Sequence, residues 1–180
     1  LIMGNFKEGL VLIPAIEENL DEFSLYLDRH RVLVFNYKIA TLHFGAGNFE
    51  TCIDYLRKII NDHVDLRSDL QCYARVLHLM AHYELGNTDI MEHLIKSVYR
   101  FMARMKNLTV IEEVMFKFLR KSFHVSRKDL KPELQKFLNA IKQYEKSRFE
   151  TRAFAYLDII SWVESKLYDK SMSQGIREKY

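Results

Sequence analysis

The stretch Gly45–Ile59, GAGNFETCIDYLRKI, decides how this chain is built. Shorter versions of it occur twice more, as MGNFKEGLVLI from residue 3 and LGNTDIMEHLIKSV from residue 85. The three glycines that begin these runs, Gly4, Gly47 and Gly86, are 43 and 39 residues apart. Aligning the copies on them brings Gly9, Cys52 and Met91 into register, then Ile13, Leu56 and Ile95, then Ile16, Ile59 and Val98. Steps of four and three residues trace one face of a helix. A glycine suits the left-handed position that ends a helix, and the Asn, or Thr88 and Asp89 in the third copy, suits the start of the next. A period near 40 with a helix on each side of every turn predicts an α-solenoid of helix pairs.

Charge separates the two helices of each pair. The helix before the turn, A, carries only Lys38 in 32–47 and only Arg75 and Glu84 in 70–85. The helix after it, B, carries Glu50, Asp54, Arg57, Lys58 and Asp62 in the first copy, and Asp89, Glu92, Lys96, Arg100, Arg104 and Lys106 in the second. A helix that is apolar almost all round must be covered on most sides, whereas a striped one faces water along its polar edge. The A helices are therefore expected inside and the B helices outside.

The stretch YKIATLHFGAGNFETCIDYLRKII, with Ala40 and Cys52 at two small-residue positions and Phe49 opening helix B, resembles the tetratricopeptide repeat (TPR) family. The stretch HLMAHYELGNTDIMEHLIKSV resembles it with Leu79 and Met91 in the small positions, and neither copy has the family's closing proline. The ending YLDIISWVESKL looks like the close of uncharacterised bacterial TPR-like proteins. The resemblance spans roughly residues 1–106 and implies an all-α, right-handed stack of antiparallel helix pairs. It also implies a concave wall made by spaced positions on the A helices. Carried over, that wall is Val34, Tyr37, Thr41 and Phe44, then Tyr73, Val76, Met80, Tyr83 and Glu84. TPRs that clamp a terminal carboxylate place Lys and Asn where this chain has Tyr37, Thr41 and Met80, so that partner class is disfavoured. A wall of aromatic residues and Met suits an apolar peptide or helix, or else the chain's own final helix.

Beyond residue 106 the helical pattern continues without Gly-Asn. LTVIEEVMFKFLRKSFH reads as a third A helix, and residues 126–132 as a turn with Asp129 as cap and Pro132 in a first helical turn. Leu130, Leu134, Phe137, Leu138, Ile141 and Tyr144 form the stripe of a B helix. A last helix is expected over 149–168, with Phe149, Ala153, Tyr156, Ile160, Val163 and Leu167 on one side. That makes about seven helices in a single domain over 1–170, followed by a frayed tail over 171–180. Pro14 should interrupt the first helix. Gly4-Asn5 opens a B helix whose A partner would precede residue 1, so the chain is expected to be the C-terminal part of a longer protein, starting mid-repeat.

Apolar residues make up 48% of the 180 positions, with two prolines and six glycines, which favours long helices over many short strands. Cys52 and Cys72 stand alone, without CxxC, and read as reduced core thiols of a cytoplasmic protein. The apolar run GLVLIPAI is too short to span a bilayer, so no membrane partner is expected.

No constellation supports catalysis. His78 and His82 have the spacing of a zinc-binding HExxH, but Leu79 stands where that motif needs its general base. His43 and His82 share one repeat position, which points to helix packing, and neither metal nor cofactor is expected. Glu17-Glu18 and Glu112-Glu113 are helix neighbours that diverge by about 100° and read as solvated faces. The competing signal is electrostatic. Lys and Arg against Asp and Glu number six to eight, eight to eight and thirteen to eight in successive thirds. Ten of the basic residues crowd into 117–148, where Lys128, Lys131, Lys142 and Lys146 lie on the polar side of the B helix. Such a stripe serves either as a solvated face or as a phosphate-binding patch. The expected function is a non-catalytic protein-interaction scaffold that takes a peptide or helix in its concave groove; the alternative is a nucleic-acid-associated domain using 117–148.

Overall fold

The computed structural model describes residues 4–22, 28–62, 68–145 and 158–179, and among them every regular element is helical. In chain order they are α1 (Phe6–Leu10), α2 (Ile13–Glu22), α3 (Arg29–Ala46), α4 (Phe49–Ile60), α5 (Ser68–Glu84), α6 (Thr88–Arg104), α7 (Val110–Ser122), α8 (Arg127–Lys142), α9 (Ile159–Leu167) and α10 (Met172–Arg177). None is long and apolar enough to cross a membrane.

There are more segments than the sequence pattern predicts, for two local reasons. The first helix breaks at Val11 and Leu12, ahead of Pro14, as that proline requires. The tail expected to fray instead carries α10. Ser171 accepts from the Gln174 backbone N–H at 3.2 Å while Gln174 Oε1 accepts from the Ser171 N–H at 3.0 Å, a reciprocal cap for a short helix. Ile176 then anchors it in the core.

The Gly-Asn repeat has a physical explanation in the turns. Gly47 has φ 85° and Gly86 φ 70°, the left-handed conformation only glycine adopts without strain. Gly47 and Asn48 donate their backbone N–H groups to Phe44 O at 3.1 Å and His43 O at 2.9 Å. Gly86 and Asn87 repeat this with Tyr83 O at 3.1 Å and His82 O at 3.2 Å. This paired arrangement satisfies the last carbonyls of α3 and α5. The histidines contribute as well: Asn87 Nδ2 lies 2.9 Å from His82 Nδ1, and Asn48 Nδ2 lies 3.5 Å from His43 Nδ1. The end of α6 has the same geometry without a glycine. Lys106 sits at φ 53°, with its N–H on Ala103 O and that of Asn107 on Met102 O.

Consecutive helices from α3 to α10 pack on one another where both are described; α1 and α5 also pack on α3, and α10 reaches back to α3. The registered positions Cys52, Leu56, Ile59, Met91, Ile95 and Val98 are all buried, each side chain worth about 1.5–3 kcal/mol relative to exposure. Helix α5 is buried almost throughout, from Leu70 to His82, while α4 and α6 keep one polar edge. Two α5 side chains finish the end of α4: Gln71 donates to Ile59 O at 2.5 Å and Arg75 to Ile60 O at 3.3 Å. Both cysteines are free and buried.

Two local expectations are corrected. The cap of α8 is Ser126, which accepts from the Asp129 N–H at 3.3 Å, so α8 starts earlier and Pro132 falls inside it. Glu112 is not on a solvated face. It is 1% exposed, and its carboxylate accepts from the Thr109 N–H at 2.9 Å to cap α7. The start of α1 meets α10: Ser173 donates to Gly4 O, and Arg177 donates to Asn5 Oδ1 at 3.1 Å and pairs with Glu8 at 3.5 Å. Of the last expected stripe, Ile160, Val163 and Leu167 are buried, whereas Phe149, Ala153 and Tyr156 lie outside the described residues.

Candidate functional site

The nine wall positions do not form an open groove. Tyr37, Thr41, Phe44, Tyr73, Val76 and Met80 are buried, and Val34, Tyr83 and Glu84 are half-buried. Part of the cover is α9. Its Trp162 meets the Tyr83 ring edge-on at 5.8 Å, and Tyr83 in turn packs on Phe123 at 5.6 Å. Glu84, at the end of α5, accepts from Trp162 Nε1 and from Lys166 Nζ at 2.6 Å. Burial pushes the Tyr83 hydroxyl's pKa upward, as a dry packing site requires. The expectation of an accessible concave surface is therefore overturned. An apolar A face has to be covered, and at Tyr83 and Glu84 part of that cover is α9.

A second clamp fixes α9 from the other side. Glu164 pairs with Lys142 of α8 at 2.7 Å and with Lys179 at 3.3 Å. Burial pushes the Glu164 carboxyl up, but the Lys142 hydrogen bond and the two ammonium charges outweigh it and hold the carboxyl below its usual range. Lys142 is pushed up by the same hydrogen bond.

The basic stretch is correspondingly depleted. Lys142 belongs to Glu164, and Lys121 and Lys136 both hold Glu133 at 2.8 Å. Lys128 and Lys131 are exposed, and Lys146 lies outside the described residues. The ring faces a nucleobase would need are spent internally. Phe118 and Phe137 stack on each other at 4.8 Å with an 8° tilt and are only 6% and 3% exposed.

His78 and His82 do meet, edge to face at 4.5 Å. Burial first, then the charges of His82, Arg57 and Arg75, push His78 down to about 4. Among the described residues, no three His, Cys, Asp or Glu side chains converge as a metal site would require. The pair packs α5 against its neighbours, and the missing base at Leu79 is filled by a fully buried apolar side chain.

One surface feature escaped the sequence reading. Helices α7 and α8 diverge enough to leave an open slot of about 220 Å³. Its floor is Val114, Phe118, Phe137 and Ala140; its rim is Lys117, Lys121, Lys136 and Glu133. The sequence signal was the i, i+4 pair Lys117 and Lys121 beside the apolar stripe of α7, but nothing local says how far apart two helices sit.

No protein-family model matches this chain, and neither the curated proteins nor the solved structures contain a match to it.

Proposed function

We propose that the chain is a non-catalytic interaction scaffold, a TPR-like right-handed stack of antiparallel helix pairs that binds a protein or peptide segment. The observation that carries this reading is the seat of α9: Tyr83 and Glu84 at the end of α5 take that helix through one tryptophan and one ion pair. A surface that receives a helix from its own chain has the shape and chemistry for peptide recognition. With most of that wall buried, partner docking uses the surface left outside it. The nucleic-acid alternative loses ground, because three of its lysines are committed to carboxylates and its Phe118 and Phe137 rings are buried.

The test is photocrosslinking of the full chain, in extract from its own source, with the reactive group at Ala140 by the outer slot or at Val34 on the inner wall. A saturable crosslink to one protein from either position, competed by unlabelled chain, is expected. Crosslinking from Val34 would mean that the partner reaches the wall itself. Background labelling alone from both positions, or labelling of nucleic acid, would remove the scaffold reading.

A further inference from the structure

We infer that the α7–α8 slot is a docking site for an acidic peptide segment carrying an apolar anchor side chain. The inference rests on the scaffold reading and names the chemistry of its partner. The floor is apolar and lies between two helices that are themselves rigidly held, α7 by its Thr109–Glu112 cap and α8 by Ser126 and by the Lys142–Glu164 pair. A volume of about 220 Å³ suits one large side chain rather than a folded ligand.

The rim determines the charge of the guest. Three ammonium groups face one carboxylate, leaving an excess of two positive charges around the mouth. Glu133 is recessed, with 14% of its side chain exposed, while Lys121 and Lys136 reach out over it at 56% and 71%. Hydrogen bonds from Lys121 and then Lys136 hold the Glu133 carboxyl below its usual range, so it stays charged and keeps both lysines poised at the rim. Lys117 is exposed, and no carboxylate among the described residues pairs with it. An acidic residue flanking an apolar anchor would meet Lys117 directly and share the two lysines with Glu133.

The same features disfavour a nucleic-acid strand. Its bases would need exposed ring faces, which Phe118 and Phe137 do not offer.

The experiment uses the full chain and three fluorescein-labelled amphipathic peptides, read by anisotropy at ~50 and ~200 mM salt. One is Glu- and Leu-rich, one has its Glu replaced by Lys, and one has its Leu replaced by Ser. The Glu/Leu peptide is expected to bind at least ~10-fold more tightly than the other two and to weaken with salt. Lys117→Glu should weaken it by at least ~10-fold, and Ala140→Phe, which fills the slot without changing charge, should do likewise. Glu133→Gln should tighten it. Lys128→Glu makes the same charge change on α8 away from the slot and should leave affinity within about twofold. Circular dichroism and melting of each variant confirm that only folded proteins are compared.

Equal losses in Lys117→Glu and Lys128→Glu, undiminished binding of the Leu→Ser peptide, or tighter binding of labelled single-stranded DNA would each overturn the slot. Peptide binding whose amide chemical-shift changes map elsewhere would sink the slot and leave the scaffold reading standing. No peptide binding, together with no saturable crosslink, would take down both.

Discussion

Residues 29–104 and residues 110–179 solve the same packing problem with different local chemistry. In the first region helices stop through backbone geometry, with Gly47, Gly86 and Lys106 turning left-handed so that the final carbonyls find backbone donors. The second ends α9 in the same way, at Asp169 with φ 53°, but adds side-chain caps: Thr109 with Glu112, Ser126, Asp158 and Ser171 with Gln174 start α7 to α10. Long-range ion pairs then fix the C-terminal helices, through Glu84 and Glu164. The first design leaves a periodic trace in the sequence because glycine is the cheapest left-handed residue. The second leaves none, because many residue types serve as caps and the clamping partners are far apart in the chain.

The largest expected effect tests whether the second region depends on its clamp. Trp162 is 2% exposed, packs edge-on against Tyr83 and donates to Glu84. Trp162→Ala should cost about 3–5 kcal/mol, read from the urea midpoint, because a large buried ring leaves a cavity and Glu84 keeps only Lys166 as a donor. Trp162→Phe keeps an aromatic ring at the contact but loses the hydrogen bond and part of the buried indole, and should cost about 1–3 kcal/mol. A shift below ~1 kcal/mol for the alanine variant would mean that α9 rests loosely on the wall. Tyr83 and Glu84 would then be open to a partner after all.

The difference between the regions also sets how much could be read beforehand. The A and B helices around Gly47 and Gly86, and the burial of Cys52, Leu56, Ile59, Met91, Ile95 and Val98, follow from periodicity that any window of the sequence contains. The left-handed Lys106 does not, since lysine carries no such signal. The Glu84–Trp162 contact joins residues 78 positions apart. Local pattern shows that the wall carrying Tyr37, Phe44 and Met80 must be covered, but not by what. That is why the same residues read as a groove in the sequence and stand as core in the fold. The α7–α8 slot was illegible for a related reason: it depends on how two helices diverge, while its Lys and Phe residues look like any amphipathic face.

Acid should separate the two regions next. His43, His78 and His82 are all pushed below their ordinary values, chiefly by burial, with His78 at about 4. As pH falls below ~6.5, the unfolded chain takes up protons that the folded histidines refuse, so stability drops until His78 itself titrates near 4. Glu164 is depressed relative to its unfolded value, so its contribution is retained through most of that window and lost below ~4.5. Urea midpoints at several pH values should therefore fall first through the histidine window, by roughly 1–3 kcal/mol. His78→Leu should flatten that first decline and Glu164→Gln only the second. A decline that ignores both substitutions would mean that neither group controls the acid limit.

The smallest effects bear on the turns themselves, and they carry opposite signs. Nothing lies within 4 Å of a Cβ placed on Gly47, so any cost of a side chain there is purely that of the backbone at φ 85°. Gly47→Val should destabilise by about 1–2 kcal/mol, because a β-branched residue resists the left-handed region. Lys106 already bears that strain at φ 53° in an equivalent turn. Lys106→Gly should therefore stabilise, by about 0.5–1 kcal/mol, since relief of the strain outweighs the entropy glycine adds to the unfolded chain. The pair of signs is the informative result. If both glycine variants were neutral, the hydrogen bonds from Asn48 and Asn107 to the preceding helices would be setting the turn, with the left-handed residue merely following. If Lys106→Gly destabilised, unfolded-state entropy would dominate, and the absence of glycine after α6 would be a stabilising choice rather than a tolerated strain.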